Sequence, residues 1–182
     1  MHKTSDKGFM WKGIPVYSSR IIHQEVIKMK KKIKTEYSLT CFRDSTIGTA
    51  LIQAYLETDY RILNSNPFTL KVGVACPELA VLNTEYRVTS SAFITAYNPI
   101  SQRLSDADNA RQQAKLAQTL RQSGYVFLDG IGQHPSNDWP GEPGFLVLGI
   151  DLETAMKLGD QFEQNAIIWN NIDSVPELVL LR

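Results

Sequence analysis

The chain has 182 residues, 43% hydrophobic and 21% charged, with a formal net charge of zero; this suits one domain able to bury its own core and excludes a charge-rich disordered polymer. Its two cysteines, Cys41 and Cys76, form no CxxC pair and lack histidines at ligand spacing, so neither a disulfide framework nor a metal site is encoded and a reducing cytoplasm fits. No run approaches the roughly 18 apolar residues that cross a bilayer, and Lys30-Lys31-Lys32 leads into Lys34, Glu36 and Ser38 rather than the apolar stretch of a signal peptide.

The zero charge conceals an asymmetry. Residues 1–43 carry ten Lys or Arg against three acids, and residues 44–182 carry nine against sixteen. The first segment reads as a basic, partly disordered extension, the second as a single α+β domain. Nucleic acid would be a partner only through this leader, since clustered lysine attracts phosphate without reading sequence. Interleaved Phe9, Trp11, Ile14 and Val16 leave docking on the body open. An alternative is that translation starts at Met29, which would put residues 1–28 outside the native protein.

In the body, Ile47, Leu51, Ala54, Tyr55 and Thr58 recur at helical spacing behind Asp44 and Ser45, either of which can cap the first turn. Tyr60 to Leu63 and Phe68 to Val74 read as a hairpin around Asn64-Ser65-Asn66-Pro67. Tyr86 to Tyr97 reads as a longer strand, whose run Ala92-Phe93-Ile94-Thr95-Ala96 suits a central position covered on both faces. Asn98-Pro99 stops it. Ser105 and Asp108 form a capping box for a second helix, with Ala110, Ala114, Ala117 and Leu120 as its packing stripe and Gly124 at its end. Strands follow at Tyr125 to Leu128 and Phe145 to Ile150. Asp151 caps a third helix, Asn165 is placed to end it, and Ala166 to Trp169 and Leu178 to Leu181 supply the last strands. The order predicts a single mixed or largely antiparallel sheet of about seven strands with three helices.

Asp129 to Gly144 is a sixteen-residue stretch with four glycines and three prolines, read as an ordered loop of the binding or lid type. Within it Glu142 is a candidate general acid or base if burial lifts its carboxyl pKa, against the simpler account of a solvated carboxylate. His134 is a weaker candidate, because a lone histidine before proline is more often exposed and idle. Trp139 either stacks on a planar ligand or anchors the loop. Asn98, Ser101 and Arg103 lie between a strand end and a helix N-terminus, where free N–H groups and a guanidinium would take an anion, although Asn98 and Ser101 also suit plain turn chemistry. Gln164 is the third candidate; beside it, capping explains Asn165.

Neither GxGxxG, GK[ST], GxSxG nor HExxH is present, and Cys76 reads as a small buried thiol. Taken together, Ala92-Phe93-Ile94-Thr95-Ala96-Tyr97-Asn98-Pro99, the Trp139 to Phe145 stretch and Gln164-Asn165-Ala166-Ile167-Ile168-Trp169 resemble the bacterial family known as domain of unknown function 3293, over about residues 45–181. Tyr97 stands where that pattern has tryptophan and Gly144 where it has serine. The resemblance implies a small cytoplasmic bacterial protein and carries no activity, cofactor or catalytic residue to transfer.

Two function classes stay open. One is binding, with or without turnover, of a small polar or anionic ligand where Asn98, Glu142 and Gln164 converge, joined by Arg103 and Trp139. The other is a non-catalytic interaction module presenting the Trp139 loop, with the basic leader as tether. Neither implies a cofactor or a membrane, and the oligomeric state is open.

Overall fold

The computed structural model describes residues 45–182, apart from Asn137, together with two short strands, β1 (Phe9–Trp11) and β2 (Ile14–Val16). The chain divides into two compact units, residues 1–44 and 45–182. In the first, β1 and β2 pair antiparallel, Phe9 opposite Val16. The expected disorder of the leader, Asp44 as a cap and Cys41 fall outside the described residues.

In the second unit α1 (Thr49–Glu57) leads into β3 (Asp59–Ile62) and β4 (Phe68–Leu70), then α2 (Pro77–Tyr86) and β5 (Ser91–Ile94). A 3-10 turn at Pro99–Ser101 precedes α3 (Asp106–Gln122), β6 (Phe127–Gln133) and β7 (Glu142–Leu148). The chain closes with α4 (Leu152–Gln161), β8 (Ala166–Asn170) and β9 (Glu177–Leu180). Strands β3 to β9 make one seven-stranded sheet in the order β4-β3-β6-β7-β5-β8-β9. Every neighbouring pair in it is antiparallel. The α+β class and seven-stranded sheet agree with the sequence reading.

Strand alternation assigns the two faces. Ala92, Ile94, Phe145, Val147 and Ile167 point to one side, where Leu116, Ala117 and Leu120 of α3 and Ala155 and Leu158 of α4 cover them. Tyr60, Ile62, Phe93, Leu146 and Ile168 point to the other, partly covered by Leu79 and Leu82 of α2. β5 lies between β7 and β8 and is buried at all four positions, as expected of an apolar run covered on both faces.

Several boundaries differ from the sequence reading, each for a physical reason. A fourth helix, α2, occupies what was read as connection and the start of a long strand. Pro77 sits in its first turn and Arg87 closes it in the left-handed region, but Val81 is 67% exposed beside buried Leu79 and Leu82, which blurs the helical period. β4 stops at Leu70 because the chain turns at Gly73, φ 78°, whose N–H donates to Pro176 O at 2.8 Å. α1 starts at Thr49 with Gly48 before it and no side-chain cap. Ser45 Oγ instead accepts from Ile47 N and donates to Arg182 O.

The two capped helices begin as expected. Ser105 Oγ accepts from Asp108 N and Asp151 Oδ1 from Thr154 N, and α3 ends before Gly124 at φ 75°. The buried stripe of α3 keeps only Ala117 and Leu120 of the expected four. It is Asn109, Gln113, Leu116, Ala117 and Leu120; Ala110 and Ala114 are exposed. α4 ends at Gln161 with Phe162 as its cap residue, so Asn165 is not its terminator.

The largest correction concerns Asp129 to Gly144. This is not a long loop: β6 runs to Gln133 and β7 starts at Glu142, paired from Phe127 opposite Val147 to Gly132 opposite Glu142. Only residues 134–141 connect them.

Candidate ligand site

Asn98 begins a turn in which three residues of four adopt left-handed backbone, Asn98 at φ 46°, Ile100 at φ 47° and Ser101 at φ 55°. Such angles cost about 1–3 kcal/mol each, and a β-branched residue such as isoleucine rarely adopts them. The surroundings hold the turn in place. Asn98 N–H donates to Asn109 Oδ1 at 2.8 Å, and Asn98 Oδ1 accepts from Leu104 N at 3.0 Å and Asn109 Nδ2 at 2.9 Å. Ile100 N–H donates to Glu163 O at 2.7 Å. This is the work of the polar α3 stripe: Asn109 supports Asn98, while Gln113 Oε1 accepts from Ala96 N.

Asn98 has one polar group left, its Nδ2, and this donates to Glu142 Oε1 at 2.6 Å. Trp139 Nε1 donates to the same oxygen at 2.9 Å. Among the described residues no hydrogen bond ends on Glu142 Oε2. Burial pushes the Glu142 carboxyl above its ordinary pKa, partly offset by these two donors, which favour the charged form.

Glu142 opposes Gly132 across the β6–β7 pair and shares its face with Gly130, Gly144 and Phe93. These glycines make room for a ring. A Cβ on Gly130 would lie 2.6 Å from the Phe93 ring, and one on Gly144 2.5 Å from it. Tyr60 meets Phe93 edge to face at 5.3 Å between centroids. Beside these rings lies a cleft of about 90 Å³ walled by Tyr55, Tyr60, Phe93, Thr95 and Glu142. It sits where β5 ends and β7 and β8 begin.

The other candidates take varied places. Gln164 is buried, and its Nε2 donates to Tyr97 O and Phe162 O, both at 3.1 Å; it pins the backbone next to Asn98 and is not part of the cleft wall. Ser101 Oγ accepts from Asn165 Nδ2 at 2.9 Å and pairs with Tyr55 OH at 2.8 Å. Arg103 is exposed and outside the cleft. His134, expected to be exposed, has a side chain only 10% accessible, with Nε2 3.2 Å from Glu57 Oε2. Ser136 N–H donates to its Nδ1, which puts the proton of the neutral ring on Nε2, facing Glu57. Hydrogen bonds from Gln53 and then His134 hold Glu57 below the usual carboxylate range. Cys76 is a buried free thiol, pushed up in pKa chiefly by desolvation and thus away from thiolate chemistry. Among the described residues no group of three or more His, Cys, Asp or Glu is placed to hold a metal ion, and no helix is long and apolar enough to cross a membrane.

Sequence reasoning missed Tyr55, Tyr60, Phe93 and Thr95 as walls of the cleft, and Asn109 as the support of Asn98. One signal was available. Gly130, Gly132, Glu142 and Gly144 fall on alternate positions of two runs, the spacing of one strand face emptied for a large neighbour.

The fold and site define an α+β domain with an antiparallel sheet, a strained turn at one sheet end and a partly buried carboxylate beside an aromatic cleft. Residues 94–167 match the family model described as "Protein of unknown function (DUF3293)". That match bears out the family read from the sequence, over the segment that contains Asn98, Trp139, Glu142 and Gln164. Comparison with curated proteins and with solved structures finds no match.

Proposed function

We propose that the 45–182 domain binds a small polar ligand in the cleft at this sheet end, with Glu142 as the anchoring group. One observation carries the reading: two N–H donors from separate loops converge on one oxygen of a partly buried carboxylate, and the other oxygen receives no hydrogen bond from the described residues. A carboxylate serving only to tie the loops would not need to border a cavity. The strained turn behind it supports the same view, because backbone strain kept in place by surrounding bonds clusters at functional sites. A carboxyl with a raised pKa is also suited to proton transfer, so the cleft serves a sensor or an enzyme equally.

We propose a reducing bacterial cytoplasm as the protein's setting, in keeping with the buried thiol of Cys76 and the family resemblance. Docking of a protein partner on the Trp139 turn is the second reading, favoured by the 38% exposure of that indole. Native mass spectrometry of protein purified from its host tests the first. A small molecule that co-purifies with the wild type and is lost from Glu142→Gln supports it; a molecule retained equally by the variant overturns Glu142 as the anchor.

A further inference from the structure

Resting on the reading of the cleft as a ligand site, we infer that the group it takes is a cation carrying N–H donors on a short apolar stem, an alkylammonium or guanidinium head rather than an anion. Among the described residues Glu142 is the one charged side chain of the lining, and no described Lys, Arg or His joins it. Arg103, the residue that suggested an anion, lies outside.

The hydroxyls around the cleft are mostly committed. Thr95 Oγ1 donates to Pro143 O at 2.7 Å and accepts from Tyr97 N at 3.0 Å. Tyr60 OH donates to Tyr55 O at 3.0 Å. Tyr55 OH, Ser101 Oγ and Asn165 Nδ2 bond to one another. Only one of Tyr55 and Ser101 can donate to the other, which leaves one hydroxyl proton over; the other remaining capacity is an acceptor, Glu142 Oε2, with its carboxylate plane set by the two donors on Oε1. An anion would therefore meet a like charge and few free donors, whereas a cation would gain a charge-assisted hydrogen bond. The Tyr60 and Phe93 rings border the same cleft, and an aromatic wall favours a cation where a ring face is presented. About 90 Å³ admits a head of only a few heavy atoms, so a longer molecule would leave its remainder outside.

The test uses three probes of one shape, propylammonium, propionamide and propionate, titrated into the full chain while the Trp139 indole N–H resonance is followed by NMR, assigned with Trp139→Phe. Propylammonium is expected to shift that resonance and saturate in the millimolar range, with the other two weaker by about tenfold or more, the share of one charge-assisted hydrogen bond. Glu142→Gln, checked as folded by the same spectra, is expected to abolish the preference, and Glu142→Asp to weaken it. Propionate binding as tightly as propylammonium would leave the cleft a ligand site and overturn its assignment to cations. Propionamide matching propylammonium, or a preference that survives Glu142→Gln, overturns it too. If none of the three perturbs the cleft, both this inference and the ligand-site reading fall.

Discussion

Asn98 shows at the residue scale how a single side chain joins a turn to a carboxylate. Its amide oxygen satisfies Leu104 N and Asn109 Nδ2 while its nitrogen reaches Glu142. Asn98→Ala deletes all three bonds and strands the buried Asn109 amide, for an expected loss of about 1–3 kcal/mol in urea unfolding. Asn98→Gly keeps the left-handed backbone free of strain and loses the same bonds, so it is expected to destabilise less than alanine; equal losses would show that backbone strain at φ 46° matters little. Glu142 makes a pH prediction of its own. Its folded pKa is raised, first by desolvation, so the folded state binds this proton more tightly than the unfolded chain. Its ionisation therefore costs stability, a cost absent below the unfolded value near 4.5 and complete once pH exceeds the folded one. Relative to Glu142→Gln, which does not titrate, the wild type is expected to lose stability as pH rises from about 4 to 8, measured by urea unfolding at each pH. A flat difference would mean that the two donors offset burial, and one running the other way that they outweigh it.

Among the elements, the β6–β7 pair is shaped by what its glycines lack. Gly144→Ala places a methyl 2.5 Å from the Phe93 ring and 3.1 Å from Ile94 O, with an expected cost of about 1–3 kcal/mol from overpacking. Combining it with Phe93→Leu should recover part of that loss. Additive effects in the double-mutant cycle would show that the ring and the glycine are not coupled. α1 is the opposite case: none of its residues is buried, while α3 buries five. Its side-chain hydrogen bonds to the rest of the domain run through Tyr55 to Ser101 and Asn165 and through Glu57 to His134, beside apolar residues that are only half-buried. Amide hydrogen exchange is expected to be fastest in α1 among the four helices and slow in α3. Protection of α1 equal to that of α3 would mean that these polar contacts anchor it as firmly as a buried face does.

For the whole molecule, residues 45–182 hold both hydrophobic layers of the sheet and form a compact unit separate from residues 1–44. Removal of residues 1–28 is accordingly expected to shift the melting temperature by less than about 5 °C; a larger fall would make the leader part of the core. The chain alone determined the α+β class, the number of strands in the sheet, the caps of α3 and α4 and the central position of Ala92-Phe93-Ile94, because capping chemistry and burial on two faces are local signals. It also pointed to Asn98, Glu142 and Gln164 as residues at element ends, and to Trp139 in the loop beside them. Only the tertiary structure decided that Gln164 pins a backbone while Asn98 and Trp139 hold one oxygen of Glu142, and that the glycine-rich stretch is a strand pair emptied for Phe93. Those facts depend on β5, β6 and β7 lying side by side, Phe93 opposite Leu146 and Glu142 opposite Gly132. Strand register brings together residues tens of positions apart, and no local pattern in one sequence encodes it.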